Sequence, residues 1–490
     1  MPRRSLTSAI AALAMIATTA GIASAGPGAG NKHEHCGRIT KIAVPGAEKQ
    51  VTSCHDDLTT TGLLAKGNGT YTDATDFAGL AAPRTTPIIG VPGIQVDGYF
   101  PDTSSFNTKH GWAHDAQFVI RIPDDWNGGL VVSGAPGTRT QYANDQTISD
   151  YVLSKGYAFA ATDKGNSGLL FYTDGASPGD AILESNQRVT ELTKAAKQVL
   201  KQRTTKLPSK TYMMGVSNGG YLVRWQLENH PELYDGGVDW EGTLYSEQQN
   251  LLTYLPTGLK EYPKYAAGDQ AAHQAMLDAG FQPGSEYLWP YHYGYYWDIT
   301  QRSYRDELDP SYDDGASGPV VILGQTYPVQ MAGYPFCAVS GLQPCDADYD
   351  FASRYAAVPE LRDAIDKVAL TGNIGKPLIT IHGTHDTLLP ISVDSDVYAQ
   401  MIDDAGKSAL HHYYRYEFGN HVDGLYAAFP QIRPLLPCAR ASFDALVAWT
   451  TDGLEPPADS TIANPNVTVG GDGTPVVMPT TDVVNTCSLS

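Results

Sequence analysis

Positive charge is scarce in this chain. Against 53 Asp and Glu it carries 33 Lys and Arg, a formal charge of −20 over 490 residues. Such a chain is repelled by phosphate backbones and anionic lipid, which argues against nucleic acid as a partner and leaves neutral substrates open. Long apolar runs are missing too. Beyond the N-terminal segment none approaches the ~20 residues that span a bilayer, so no membrane insertion is expected. There are six cysteines and no pair at the two-residue spacing of zinc motifs. His33-x-His35-Cys36 lacks a fourth ligand at the usual spacing and reads as a polar segment. No internal repeat is evident. The composition, 42% hydrophobic and 18% charged with 49 Gly and 32 Pro, is that of a globular, loop-rich body.

Residues 1–25 have the three parts of a secretory signal. Arg3 and Arg4 start it, Leu6 to Ile22 form the apolar middle, and Ala23-Ser24-Ala25 is a small-residue cleavage site. Its removal takes two positive charges, from −20 to −22. Secretion is therefore expected, extracellular or periplasmic according to the host envelope. All six cysteines lie beyond that site, where disulfides persist. Six cysteines allow 15 pairings. Local closure favours Cys36–Cys54 and Cys337–Cys345, leaving Cys438–Cys487. Asn68-Gly69-Thr70 and Asn466-Val467-Thr468 are glycosylation sequences if the host glycosylates.

After the signal, residues 26–115 form an N-terminal segment expected to be stapled by a disulfide. From 116 to 245 strand-like and helix-like runs alternate, the rhythm of an α/β protein with a mostly parallel sheet. "AQFVIRIP" and "GLVVSGAPG" read as strands joined by a turn at "DDWNG". "DAILESNQRVTELTKAAKQVLKQR" is apolar at helical spacing and ends in basic residues that suit a helix C-terminus. Residues 246–375 have a different texture, and insertions of that length are usually lids or small subdomains. They concentrate aromatics, among them Tyr287, Trp289, Tyr295 and Trp297. Rings with a polar tip suit a pocket wall, and equally the core of a lid. The α/β rhythm returns over 376–453. The tail, 454–490, lacks helical periodicity and is expected to wrap the body.

Chemistry enters at "TYMMGVSNGGYLVRW". Gly215-Val216-Ser217-Asn218-Gly219 fits Gly-x-Ser-x-Gly, with a strand-like run before Ser217 and a helix-like run after it, the context this motif requires. A serine hydroxyl needs a base to take its proton and a carboxylate to orient that base. In the α/β-hydrolase fold these follow in the order Ser, Asp or Glu, His, on loops at the carboxyl ends of strands. Asp386 follows "LITIHG" and His421 follows "YYRYEF", so Ser217, Asp386 and His421 are the expected triad. His411 and His412 fall inside a strand, His382 and His385 precede Asp386 on one turn, and Asp423 sits too close to His421 in sequence. The oxyanion requires two N–H donors. Asn218 is expected to give one and "SGAPG" the other, through Ala135 or Gly134, since Pro136 has no N–H.

"IRIPDDWNGGLVVSG", "YAFAATDKGNSG", "GVSNGGYLVRWQLENHPELYDG", "ITIHGTHDTLLP" and "EFGNHVDG" together resemble the tannase and feruloyl esterase family of secreted α/β-hydrolases, over about residues 116–457. The resemblance implies an α/β-hydrolase fold with an inserted lid and cleavage of carboxylic esters of phenolic or related acids. Val216 and Val422 stand where the family commonly has a linked cysteine pair, and Lys164-Gly165-Asn166 replaces its Thr-Gly-His. Calcium in the lid is a family trait, for which Asp346, Asp348 and Asp350 offer suitable oxygens; no cofactor is required for catalysis. The expectation is a serine esterase acting on small or oligomeric esters of phenolic, short-chain or polyester type. Ser-Asn-Gly-Gly also resembles the nucleophile turn of prolyl-oligopeptidase-type peptidases, which is one alternative. A hydrolase fold kept only for binding is the other.

Overall fold

The computed structural model describes residues 42–65, 72–101, 115–313, 320–322, 325–327, 346–470 and 475–489. The signal segment, His33, His35, Cys36, Cys337, Cys345 and the Asn68 sequence lie outside these residues. Among the described residues no helix is long and apolar enough to cross a membrane.

Ten strands form one sheet. With two short pairs outside it, the strands of the described residues are, in chain order, β1 Lys49–His55, β2 Gly93–Tyr99, β3 Gln117–Pro123, β4 Gly129–Gly134, β5 Ala158–Thr162, β6 Lys210–Val216, β7 Gly236–Trp240, β8 Val320–Ile322, β9 Gln325–Tyr327, β10 Leu378–Gly383, β11 His411–Tyr416, β12 Ser460–Ile462, β13 Val467–Val469 and β14 Pro475–Val477. The sheet runs β1-β2-β3-β5-β4-β6-β7-β10-β11-β12, while β8 pairs with β9 and β13 with β14. From β5 to β12 every pairing is parallel, whereas β1, β2 and β3 join antiparallel. This is the α/β-hydrolase arrangement of a mostly parallel sheet, wider at both edges than the sequence rhythm suggests. The N-terminal segment supplies β1 and β2, and the tail supplies β12.

The central strands are buried along their length, save Lys210 at the start of β6, because helices cover both faces. Alternation decides which face each side chain meets. Leu130, Val132 and Met213 join Val189, Leu192 and Val199 of the helix Asp180–Thr204, and Leu222 of the helix Asn218–Asn229. Val131, Tyr212 and Met214 turn to the other side, against Phe443 and Leu446 of the helix Leu436–Asp452. Burying each such side chain contributes about 1.5–3 kcal/mol.

Between β7 and β10, which are neighbours in the sheet, the chain leaves for the insert. Its helices include Leu251–Ala266, Gln270–Asp278 and Trp297–Leu308. Asn250 and Asp269 start the first two, their side chains accepting from Leu252 N (2.9 Å) and Ala271 N (2.8 Å). Trp289 and Trp297 are fully buried. Trp289 packs on Phe281 and Tyr265, with its indole N–H on Ser285 Oγ at 3.0 Å. Of the two roles open to these rings, both tryptophans serve as core of the insert. The side chain of Tyr295 is outside the described residues.

Cys438 is bonded to Cys487, which ties the tail to the helix Leu436–Asp452. Cys54 is also disulfide-bonded. Asn466 is almost wholly buried, its amide donating to Thr481 O at 2.8 Å and accepting from Thr480 N and Thr481 N at 2.9 Å. A side chain so engaged cannot carry a glycan, which corrects the sequence expectation at that position.

Candidate active site

At the carboxyl end of β6 the chain turns sharply into the helix Asn218–Asn229, with Ser217 at φ 60°, ψ −124°. A non-glycine residue at such angles costs of order 1–3 kcal/mol, so the neighbours must hold it there. Ser217 N donates to Trp240 O at 3.0 Å, and its carbonyl accepts from Tyr221 N at 3.1 Å. A Cβ on Gly215 would lie 2.2 Å from Gly219 O, and one on Gly219 would lie 2.7 Å from Gly134 O. The turn therefore closes only with glycine at both places.

His421, on the loop after β11, sets Nε2 3.0 Å from Ser217 Oγ and Nδ1 2.7 Å from Asp386 Oδ2. The hydrogen bond to Asp386 keeps the proton on Nδ1, so Nε2 accepts from the serine hydroxyl. The other oxygen of Asp386 accepts from Leu388 N and Leu389 N, both at 2.8 Å. Burial opposes ionisation of Asp386, but His421 and His382 outweigh it and hold the carboxyl well below the usual carboxylate range. The acid loop is pinned from outside as well. Trp297 Nε1 donates to Thr387 O at 2.7 Å, Tyr254 Oη to Leu388 O at 3.0 Å, and His382 Nε2 to Leu389 O at 2.9 Å. Two of these three donors come from the insert. His382 is fixed in turn by Ser395 Oγ at 2.7 Å from Nδ1, and Ser395 accepts from the buried Arg224 at 2.7 Å.

The histidines and acid set aside on sequence grounds have other partners. His411 Nε2 meets Thr380 Oγ1 at 3.0 Å, and Asp423 accepts from Leu435 N and Leu436 N at the start of the last long helix. His412 lies beside Asp459. Tyr287 Oη meets His385 Nδ1 at 3.3 Å, next to the acid loop.

One expectation is corrected. The N–H of Ala135 donates to Thr162 O at 3.0 Å, and Gly134 lies within β4 opposite Thr162, so both belong to the sheet. After Pro136 come Gly137 and Thr138, whose N–H groups have no acceptor among the described residues. Gly137 has φ 50°, and its carbonyl accepts from Asn218 Nδ2 at 3.3 Å, which ties this loop to the residue after the nucleophile. The proline that interrupts "SGAPG" was the available signal for a donor further along. The aspartates named for calcium each have a partner of their own. Asp346 pairs with Arg305 at 2.7 Å, Asp348 with Lys260 at 3.0 Å, and Asp350 caps the helix Phe351–Ala357 through Ser353. The three carboxylates have separate partners and do not converge.

Glu241, directly after β7, is a site residue that sequence reasoning missed. It is fully buried at φ 49°, with Oε1 accepting from Gly383 N at 2.9 Å. It forms a tight group with His382 and Asp386, their nearest ligand-type atoms all within 4.8 Å. Burial first and the charge of Asp386 second push its carboxyl well above the ordinary range. His382 has both ring nitrogens engaged and Asp386 is committed to His421, so this group is a hydrogen-bonded support rather than a metal centre.

Residues 103–244 match the tannase and feruloyl esterase family. The mono(2-hydroxyethyl) terephthalate hydrolase of Piscinibacter sakaiensis is 27% identical over 177 residues, 32% of this chain and 28% of that relative. The chain thus matches little more than a quarter of that relative's length. An esterase from Aspergillus oryzae has a similar fold, with a TM-score of 0.50 at 14% identity over 86% of this chain and 90% of the other. Feruloyl esterase B of Aspergillus oryzae gives a TM-score of 0.44 at 14% identity, covering 86% of this chain and 91% of the other.

Proposed function

We propose that this chain, related to the tannases and feruloyl esterases, is a secreted serine esterase that cleaves carboxylic esters through an acyl-enzyme. The observation that carries the reading is the unbroken contact from Ser217 through His421 to Asp386 at one end of the sheet. Ser217 Oγ attacks the ester carbonyl while His421 Nε2 takes its proton. The tetrahedral oxyanion faces the N–H groups of Asn218 and Gly137. Collapse breaks the ester bond, and the leaving alcohol takes the proton from His421. Water then repeats the sequence on the acyl-enzyme and frees the acid. Asp386 stays ionised throughout, orienting the ring and balancing the imidazolium. The N-terminal segment and the disulfides support secretion. The terephthalate monoester in the name of the bacterial relative places aromatic monoesters among the substrates to try first.

Ser217→Ala is expected to lower kcat by about four to six orders of magnitude, since the three groups act as a unit. A fluorophosphonate should label Ser217 in the native protein and nothing in that variant. Retained turnover in Ser217→Ala would falsify the assignment. Faster cleavage of X-Pro anilides than of 4-nitrophenyl esters would move the substrate class to peptides.

A further inference from the structure

Lys164 is the first residue of the Lys-Gly-Asn that follows β5. It holds φ 75° and is only 6% exposed. Its backbone N–H is fixed by Thr162 Oγ1 at 3.1 Å, and its Nζ donates to Gly137 O at 2.9 Å. Among the described residues that carbonyl is the sole hydrogen-bond partner of Nζ. Lys164 lines a cleft with Gly137, Asn218, Phe171, Tyr245 and Tyr304. Two of these are the residues whose N–H groups face the oxyanion in the proposed mechanism. Nζ thus gives one N–H to Gly137 O and stands on the wall of the cleft, where a largely buried ammonium is stabilised when an anion is brought to it. Burial draws the amine down to about 8 against the pull of Asp163. The mechanism above has no step for this cation.

We propose that the cleft is a subsite for a carboxylate carried by the substrate, with Lys164 as its counter-ion, so that the preferred esters are monoesters retaining a free acid. The aromatic rings on its walls suit the group that bears the acid, and the ammonium supplies charge-assisted hydrogen bonds. This inference rests on the esterase reading.

Two pairs of esters test it. Mono-4-nitrophenyl adipate and its methyl-capped diester differ by a charge on the acyl side. 4-Acetoxybenzoate and its methyl ester differ by a charge on the alcohol side. The wild type should favour the charged member of one pair by about tenfold or more in kcat/KM, and that pair identifies which side enters the cleft. Lys164→Met should bring the ratio to about one, while Lys164→Arg keeps most of it. Loss of the bond to Gly137 slows both members of a pair alike and cancels in the ratio. A wild type active on the neutral esters but indifferent to the charge overturns the subsite alone, as does a preference that survives in Lys164→Met. If none of the four esters is cleaved, the esterase reading falls and takes this one with it.

Discussion

At the scale of single residues the active end of the sheet is built from groups that mostly act on one another. Asp386 illustrates this, because each of its oxygens is assigned: one to His421, the other to two backbone amides. Glu241 sits behind it with its carboxyl pushed above the ordinary range by burial, and its visible task is to receive Gly383 N, where the acid loop begins. If it is neutral at pH 7, an amide can stand in for it. Glu241→Gln should change stability by less than about 1 kcal/mol and leave kcat near wild type, whereas Glu241→Ala strands the Gly383 amide and should cost about 1–3 kcal/mol. Urea denaturation of both variants decides the matter. Equal damage from the two would mean that the proton on Glu241, not its acceptor oxygen, is what the site uses.

At the scale of elements, the insert and the catalytic core share the acid loop. Thr387 and Leu388 present carbonyls that are met by Trp297 and Tyr254, side chains separated from the loop by about a hundred residues of sequence or more. Each bond is worth about 0.5–1.5 kcal/mol, so removing both should let the loop wander without unfolding the protein. We predict that Trp297→Phe combined with Tyr254→Phe lowers kcat by about tenfold with KM nearly unchanged. An unchanged kcat would show that the insert contributes nothing to aiming Asp386. The contact of Ser217, His421 and Asp386 and the strand-turn-helix around Ser217 were legible in the sequence because their signals are local: glycine spacing, apolar runs and chain order. The partners of the acid loop were not, because a tryptophan in an aromatic-rich segment reads the same whether it lines a pocket or holds a carbonyl. The free N–H expected of Ala135 or Gly134 was misplaced for a related reason. Which N–H in "SGAPG" is free depends on where β4 stops pairing with β5, and apolar pattern fixes strand ends poorly.

For the whole molecule, the sheet proved broader than its sequence rhythm. β1 and β2 are antiparallel strands with weak apolar signals, and β12 is three residues long, so neither edge announces itself as the buried central strands do. Buried titratable groups give the fold a definite response to pH. Burial raises Asp150 and Asp423 to about 7 and Glu307 to about 8, so the stability they contribute is full below the ordinary carboxyl pKa and is lost as pH rises through 7 to 8. Burial lowers His385 to about 4 and His292 and His411 to about 3, so their contribution is full above the ordinary histidine pKa and is lost as pH falls. Between about 4 and 6.5 the two sets oppose each other; between about 6.5 and 8 the carboxyls act without opposition from these histidines. The melting temperature should therefore be highest near pH 6 and fall towards pH 8, as calorimetry across that range would reveal. A Tm that climbed over the same interval would mean the buried carboxyls are ionised in the folded state.

The fastening of Thr387 and Leu388 by the insert also bears on how a reactant gets in. Any swing of the insert wide enough to act as a gate would break the bonds to Trp297 and Tyr254 and slacken the loop that steadies the imidazole. Entry and chemistry would then exclude one another in time, an interlock in which the catalyst is armed only while its door is shut.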